Sequence, residues 1–224
     1  MVQLASKKRN IASPRRRLFV ILLLIAIVIF LLGNFVVQIY RVPTGSMEDT
    51  LLVGDWVVVN KLAYRFRAPQ PEDIVVFRYP LNLTKTLIKR CAATEGQTVE
   101  IVGKVVSVDG RMFRDSEKVK FTDKYIIPAL YSTRDNFGPI QVPIDELFVL
   151  GDNRDKSEDS RTWGFVEKGN LKGKVDLVIF SWAPDPNAPK LRSPYIFPLI
   201  EIFFYNLYHI PDRVRWSRIG SRVR

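Results

Sequence analysis

The sequence predicts a mainly β protein, in which an apolar N-terminal helix is followed by an antiparallel β domain. Three observations support this fold class. Short runs rich in Val, Ile and Phe alternate with turn residues between positions 56 and 180. A single long apolar segment lies near the start of the chain. The chain has 224 residues, 47% of them hydrophobic, which is enough to bury a sizeable core.

The N-terminal apolar segment predicts a membrane-spanning helix. Residues 18–33 contain no polar side chain, and residues 35–37 continue the run after Asn34. About 20 such residues are needed to cross ~30 Å of hydrocarbon as a helix. A cleaved signal peptide would need a shorter apolar core and a small-x-small site, which residues 38–41 lack. We therefore predict an uncleaved transmembrane helix over 18–37.

The charge distribution points to a membrane and not to nucleic acid. Residues 1–17 carry six bases and no acid, and residues 190–224 carry seven bases against two acids. The middle of the chain is neutral, so the net charge of +11 comes from its ends. We expect both ends to be attracted to anionic membrane lipids, and we expect no nucleic-acid partner. The basic tail 1–17 places the N-terminus in the cytoplasm and the rest of the chain outside.

The remainder divides into a β domain over 38–182 and a C-terminal segment over 183–224. Asp109-Gly110 is a two-residue turn signal, and the polar stretch of about 110–146 predicts a small inserted β subdomain. Within residues 194–210 several aromatic and aliphatic side chains share one helical face. An interfacial membrane helix and a helix packed on the β core both explain this face. The predicted strands lie at 56–59, 73–77, 98–102, 104–108, 147–150 and 175–180.

Two residues are candidates for nucleophilic chemistry. Ser46 follows Pro43-Thr44-Gly45, a turn that suits an exposed hydroxyl. The chain has one histidine, His209, in a distant aromatic stretch, so a Ser-His-Asp triad is not expected. A lysine is the alternative base. Lys89 lies in an apolar strand sequence, where burial would lower its pKa, although strand lysines are more often edge or surface residues.

The long polar loop over 151–166 could bind a cation or could be a solvated loop with internal salt bridges. Its acidic spacing does not follow the EF-hand pattern and no glycine occupies the pivot. We therefore expect no metal and no cofactor. The single cysteine, Cys91, cannot form an intramolecular disulfide.

Four sequence blocks in order resemble the bacterial type I signal peptidases, which are membrane-anchored Ser/Lys endopeptidases. The blocks are Pro43 to Met47, Gly54 to Lys61, Ile88-Lys89-Arg90 and Gly151 to Val166, and the resemblance covers roughly residues 15–182. It implies cleavage of exported preproteins after a small-x-small motif, at the outer surface of the cytoplasmic membrane, by a single-pass enzyme. Signal peptides of preproteins would be its substrates and membrane lipids its surroundings; the oligomeric state stays open.

The resemblance also implies roles for individual residues. Ser46 would be the nucleophile and Lys89 the general base. Ser157 would orient the lysine amine, while Asp159 and Arg161 would pair to brace the surrounding loop.

The remaining implied roles concern the substrate. Thr44 would contribute its hydroxyl to the oxyanion hole, and Val42, Leu51 and Ile88 would line shallow pockets for small side chains. One departure from the family pattern is Glu48-Asp49-Thr50, where a proline usually precedes the threonine.

Two alternatives remain open. A self-cleaving repressor shares the Ser/Lys β fold, but it would need a DNA-binding helical domain in place of the apolar segment. A non-catalytic, membrane-tethered β module would give no reason for Ser46, Lys89 and Ser157 to occur together.

Overall fold

The computed structural model describes residues 14–191 and 196–223. The predicted basic tail over 1–17 therefore lies mostly outside the described residues. The helices of the described part are α1 (Pro14–Leu31), α2 (Ala63–Phe66), α3 (Ser160–Trp163), α4 (Ile196–Tyr208) and α5 (Ile210–Arg213). Its strands are β1 (Val37–Arg41), β2 (Asp55–Asn60), β3 (Ile74–Tyr79), β4 (Asn82–Thr94), β5 (Thr98–Val102), β6 (Val105–Val108), β7 (Arg111–Met112), β8 (Phe137–Gln141), β9 (Glu146–Leu150), β10 (Val166–Glu167) and β11 (Leu171–Ser181).

The N-terminal apolar segment is not one helix. Helix α1 ends at Leu31, a π-helical turn covers Leu32–Val36, and β1 begins at Val37. The end of the apolar run joins the sheet because Val37 pairs with Asn60 of β2. Three arginines lie in the first turn of α1, which leaves only its later part apolar. Within residues 14–191 and 196–223, no helix combines the length and the apolar character that crossing a membrane requires, in contrast to the predicted span over 18–37.

The body of the protein is antiparallel β structure, as predicted. A seven-stranded sheet has the order β1-β2-β11-β3-β4-β9-β10. Strand β2 alternates between buried and more exposed positions because one of its faces covers the core. That core joins β2 and β11 to the segment after β1, through Val42, Met47 and Leu51. The loop that carries Ser46 is therefore fixed to the sheet by its own apolar residues.

A second sheet of four strands has the order β7-β6-β5-β8 and spans residues 98–141. The Asp109-Gly110 turn joins β6 to β7, as the turn signal predicts. The small sheet thus begins at Thr98, ahead of the insertion predicted over 110–146. Its core is shared with the large sheet, because Ala92 and Phe148 pack in the same buried cluster as Val99.

The C-terminal segment combines an exposed helix with a tail that is docked on the body. Phe203 and Phe204 of α4 are 62% and 61% exposed. Beyond α5 the chain returns to β11, where the Val178 N–H donates to the Ser221 carbonyl (2.9 Å), and Val223 enters the main core. Basic side chains of this tail contact the body. The Arg213 guanidinium, for example, lies 4.7 Å from the Trp182 ring centroid.

Candidate active site

Ser46 lies in a short 3₁₀ turn, Gly45–Met47, that follows β1. Met47 anchors the turn because its side chain is buried in the main core. The Ser46 carbonyl accepts a hydrogen bond from the Asn153 N–H (3.0 Å), which ties the turn to the loop after β9. The Ser46 side chain itself is half-buried and remains accessible.

Lys89 lies on the interior strand β4, opposite Val75 of β3. Only 3% of the residue is exposed. Burial lowers the pKa of its ammonium group from 10.5 to about 8, although the nearby carboxylate of Asp159 acts in the opposite direction. The next residue, Arg90, pairs with Leu150 at the end of β9. The loop that leaves β9 therefore starts beside the lysine.

Ser157 lies on this loop, and its hydroxyl accepts a hydrogen bond of 2.8 Å from Lys89 Nζ. Gly151 makes the approach possible. A Cβ atom at this glycine would lie 2.1 Å from Ser157 Oγ and 2.6 Å from the Ser46 carbonyl oxygen. Only a residue without a side chain fits where the serine turn, the loop and the end of β9 converge.

Asp159 and Arg161 form a buried ion pair in the same loop. Arg161 Nε donates to Asp159 Oδ1 and Arg161 Nη2 donates to Asp159 Oδ2, each at 2.8 Å. Asp159 Oδ2 also accepts from the Gly151 N–H (3.0 Å). Burial alone would raise the pKa of the Asp159 carboxyl, but the hydrogen bonds and charge of Arg161 hold it below its ordinary value. The pair thus connects both ends of the loop around Ser157.

Ser46 and Lys89 line one cavity of ≈470 Å³. Thr44 lines it as well, and its Oγ1 lies 3.4 Å from Ser46 Oγ. A second, smaller cavity of ≈140 Å³ also adjoins Ser46 and is lined by Val42 and Ile88, among others. A small apolar cavity beside the serine hydroxyl can accept a small side chain.

Leu51 occupies a different place from the other predicted pocket residues. It is fully buried in the main core and is not among the residues lining either cavity. Its side chain packs in the same cluster as Val42. Leu51 therefore belongs to the core that supports Val42 and does not line the pocket itself.

Sequence reasoning missed a buried network that joins the serine loop to the lysine strand. Asp152 accepts two hydrogen bonds of 2.7 Å from Arg90 and one of 2.5 Å from the Thr50 hydroxyl. All three residues are buried. Arg90 adjoins Lys89, and a charged residue in an apolar strand was the available signal for Arg90. The network fixes the distance between the loop after Ser46 and the strand of Lys89.

A second network lies on the outer side of the serine loop. Asp55 is fully buried, and Arg218 donates to its carboxylate and to the Thr50 carbonyl (2.9 Å). Arg215 approaches the same carboxylate at 3.7 Å. We expected the basic C-terminal end to be attracted to membrane lipids; two of its arginines, Arg215 and Arg218, contact the buried Asp55 carboxylate. Asp55 lies 163 residues before Arg218 in the chain. No local pattern in the sequence connects such distant positions.

An antiparallel β fold in which a serine hydroxyl and a buried lysine amine face one cavity is the arrangement of a serine-type peptidase. The model of the family "Signal peptidase, peptidase S26" matches residues 15–182. The chain belongs to this family and is a peptidase.

Individual relatives agree with this assignment. Signal peptidase I of Aquifex aeolicus (strain VF5) is 29% identical over an alignment of 249 positions, and the alignment covers 89% of this chain and 97% of the relative. Probable signal peptidase I-1 of Synechocystis sp. is 38% identical over 167 residues, which cover 71% of this chain and 80% of the relative. A crystal structure of a signal peptidase I from Enterococcus faecalis V583 aligns at 28% identity with a TM-score of 0.39, covering 48% of this chain and 97% of that one; the score is too low to bear on the fold.

Proposed function

We propose that this peptidase removes signal peptides from exported preproteins, with Ser46 as nucleophile and Lys89 as general base. The observation that carries the proposal is that Ser46 lines the same cavity as a buried lysine whose pKa is lowered to about 8. A neutral amine at Lys89 can donate one hydrogen to Ser157 and still accept the Ser46 proton with its lone pair.

Acylation follows from this arrangement. Lys89 Nζ takes the proton of Ser46 Oγ as the oxygen attacks the scissile carbonyl carbon. The resulting oxyanion would accept hydrogen bonds from the Ser46 N–H and the Thr44 hydroxyl, and a lost donor of this kind typically costs ~3 kcal/mol. The Lys89 ammonium then gives its proton to the leaving amine. The products are an ester at Ser46 and a free mature N-terminus.

Deacylation uses the same groups. The neutral Lys89 amine takes a proton from the water that attacks the ester carbonyl. The Lys89 ammonium then returns a proton to Ser46 Oγ as the ester bond breaks, and the signal peptide leaves with a new carboxylate. Ser157 keeps the amine in place through both steps. The ≈140 Å³ cavity lined by Val42 and Ile88 is the smaller of the two cavities that adjoin Ser46, and this supports cleavage after a small-x-small motif.

We also propose that the N-terminal segment attaches the enzyme to the cytoplasmic membrane, with the catalytic domain on its outer side. Every described residue of α1 is exposed, including the apolar run from Leu18 to Leu31. Three arginines precede that run and favour a cytoplasmic N-terminus. Protease added outside sealed, right-side-out vesicles should digest the catalytic domain. Protection of that domain would contradict the orientation.

Cleavage of a preprotein by the detergent-solubilised full chain tests the catalytic proposal. Ser46→Ala and Lys89→Ala should each abolish cleavage while unfolding at the wild-type temperature or above. Ser157→Ala should slow turnover without eliminating it, because the nucleophile and base remain. His209→Ala is the matched control, since this ring stacks on Tyr205 and lines neither cavity at Ser46. Near-normal turnover by either dyad variant would overturn the mechanism, and the non-catalytic alternative would show no cleavage by the wild type.

A further inference from the structure

A third cavity, of ≈560 Å³, opens at the start of β1, whereas Ser46 follows its end. Its walls come from the residues around Phe35 and Gln38, from the segment after β2 and from residues 168–173. The Lys61 N–H donates to the Val36 carbonyl (2.9 Å), which holds the first two walls together. The cavity is therefore built from the sheet and from the connection to α1.

The lining of this cavity is strongly basic. Five of its residues are cations and none is an acid: Lys61, Arg65, Arg78, Lys168 and Lys172. The ammonium of Lys168 is already paired, at 2.7 Å from Glu95 and 3.5 Å from Asp145. The cavity thus concentrates positive charge on a body that is neutral as a whole.

Three of the cations have no counter-charge among the described residues. Arg65, Arg78 and Lys172 form no ion pair with any residue of the described ranges 14–191 and 196–223. Arg65 and Arg78 are exposed, and Lys172 is half-buried. Like charges around one concave surface repel each other, and an anion in the cavity relieves that repulsion.

The position of the cavity next to the end of α1 indicates which kind of anion it would bind. Phe35 lines it, is 64% exposed and follows α1, whose apolar surface is also exposed. A bilayer around α1 would therefore bring its headgroups to the cavity mouth. Anionic headgroups attract nearby basic side chains, and a volume of ≈560 Å³ is ample for a phosphate and its glycerol.

We propose that this cavity binds the phosphate headgroup of an anionic phospholipid and so sets how the catalytic domain stands on the membrane. The proposal rests on the membrane attachment described above. Binding would fix the sheet at the α1 end of β1. The other end of β1, which leads to Ser46, would then be held in a constant orientation toward membrane-bound substrate.

Titration of the full chain in neutral detergent tests the site directly. The probes are dihexanoyl phosphatidylglycerol, dihexanoyl phosphatidylcholine and inorganic phosphate, with binding followed by isothermal calorimetry. The anionic lipid should bind at least tenfold more tightly than the zwitterionic lipid. A triple variant, Arg65→Gln, Arg78→Gln and Lys172→Gln, should weaken anionic-lipid binding at least tenfold, since each base near a lipid surface contributes roughly fivefold.

The matched control is a second triple variant that loses the same charge in and after β7, a strand of the small sheet: Arg111→Gln, Arg114→Gln and Lys118→Gln. All three residues are exposed. It should bind the anionic lipid like the wild type. Equal weakening by both variants would show that net charge alone matters and would overturn the site. Equal affinity for the two lipids would also overturn it, and inorganic phosphate binding as tightly as the lipid would show a free-anion site instead.

Cleavage of a short soluble peptide separates this proposal from the proposed function. Both triple variants should cleave the peptide at the wild-type rate, because none of their residues lines the Ser46 cavities. A wild type that binds the lipid but cleaves nothing would refute the catalytic proposal alone. A wild type that cleaves the peptide without lipid preference would refute the lipid site alone.

Discussion

The pH dependence of cleavage follows from the burial of Lys89. This lysine must be neutral to accept the Ser46 proton, so the rate should follow its neutral fraction. With its pKa lowered from 10.5 to about 8, the neutral fraction at pH 7 is about 9% instead of about 0.03%. Burial thus makes the base roughly 300 times more available at neutral pH, equivalent to about 3 kcal/mol.

The expected profile is specific. Below pH 8 the value of kcat/KM should rise tenfold per pH unit, and above it the curve should level off. Between pH 6 and pH 9 the total increase should be on the order of 100-fold. The profile is measured with a short peptide that has no group titrating in this range. The acidic limb of the profile then gives the pKa of a group on the free enzyme.

Two controls isolate the contribution of Lys89. Lys124→Ala removes an exposed lysine and should leave the midpoint unchanged. Ser157→Ala should lower the plateau while the acidic limb persists, because the amine remains buried. A midpoint near 10 in the wild type would show that the lysine is solvated. A pH-independent rate would remove lysine from the mechanism altogether.

Other substitutions test the architecture of the site. Lys89→Met should abolish cleavage yet raise the free energy of unfolding at pH 7 by about 2 kcal/mol. The pKa of Lys89 is lower in the folded protein than in the unfolded chain, so its charge destabilises the fold below pH 8. The gain in stability, measured by urea unfolding, should therefore disappear as the pH rises from 8 to 10.5. Gly151→Ala should reduce kcat by on the order of 100-fold, because its Cβ would displace Ser157 or the Ser46 turn, and a wild-type kcat would contradict the packing. Arg218→Met should destabilise the protein by about 3 kcal/mol in thermal or urea unfolding, because Asp55 is buried, whereas the exposed Arg222→Met should have no effect; equal stability of the two would refute the Asp55 network.

The fold class was predictable because local patterns encode it. A run of Val residues, Val57 to Val59, marked β2, and Asp109-Gly110 marked a hairpin. Strand β1 was not predictable in this way, because its first residue, Val37, continues an apolar run that resembles a helix. Its pairing with β2, a contact distant in sequence, decides its conformation.

The candidate site also combines residues that local sequence predicts with contacts that only the fold creates. Each of Ser46, Lys89 and Ser157 lies in a recognisable local sequence. The structure places Ser46 and Lys89 on one cavity and Ser157 at hydrogen-bond distance from Lys89. The contacts that support these residues join segments that are far apart in the sequence. Gly151 matters only because two other segments approach it, and Arg218 only because Asp55 is buried beneath it. Such contacts leave no periodic or compositional trace in the sequence.

The two buried networks explain why the C-terminal tail belongs to the catalytic domain. Thr50, four residues after Ser46, is held on one side by Asp152 through its hydroxyl and on the other by Arg218 through its carbonyl. The lowered pKa of Lys89 requires that water be excluded from the amine, and a mobile serine loop would admit it. Arg218 lies beyond the residues 15–182 that the family model matches. A chain cut after residue 182 would leave the buried Asp55 carboxylate without either cation, and the loop that positions Ser46 would lose its outer support.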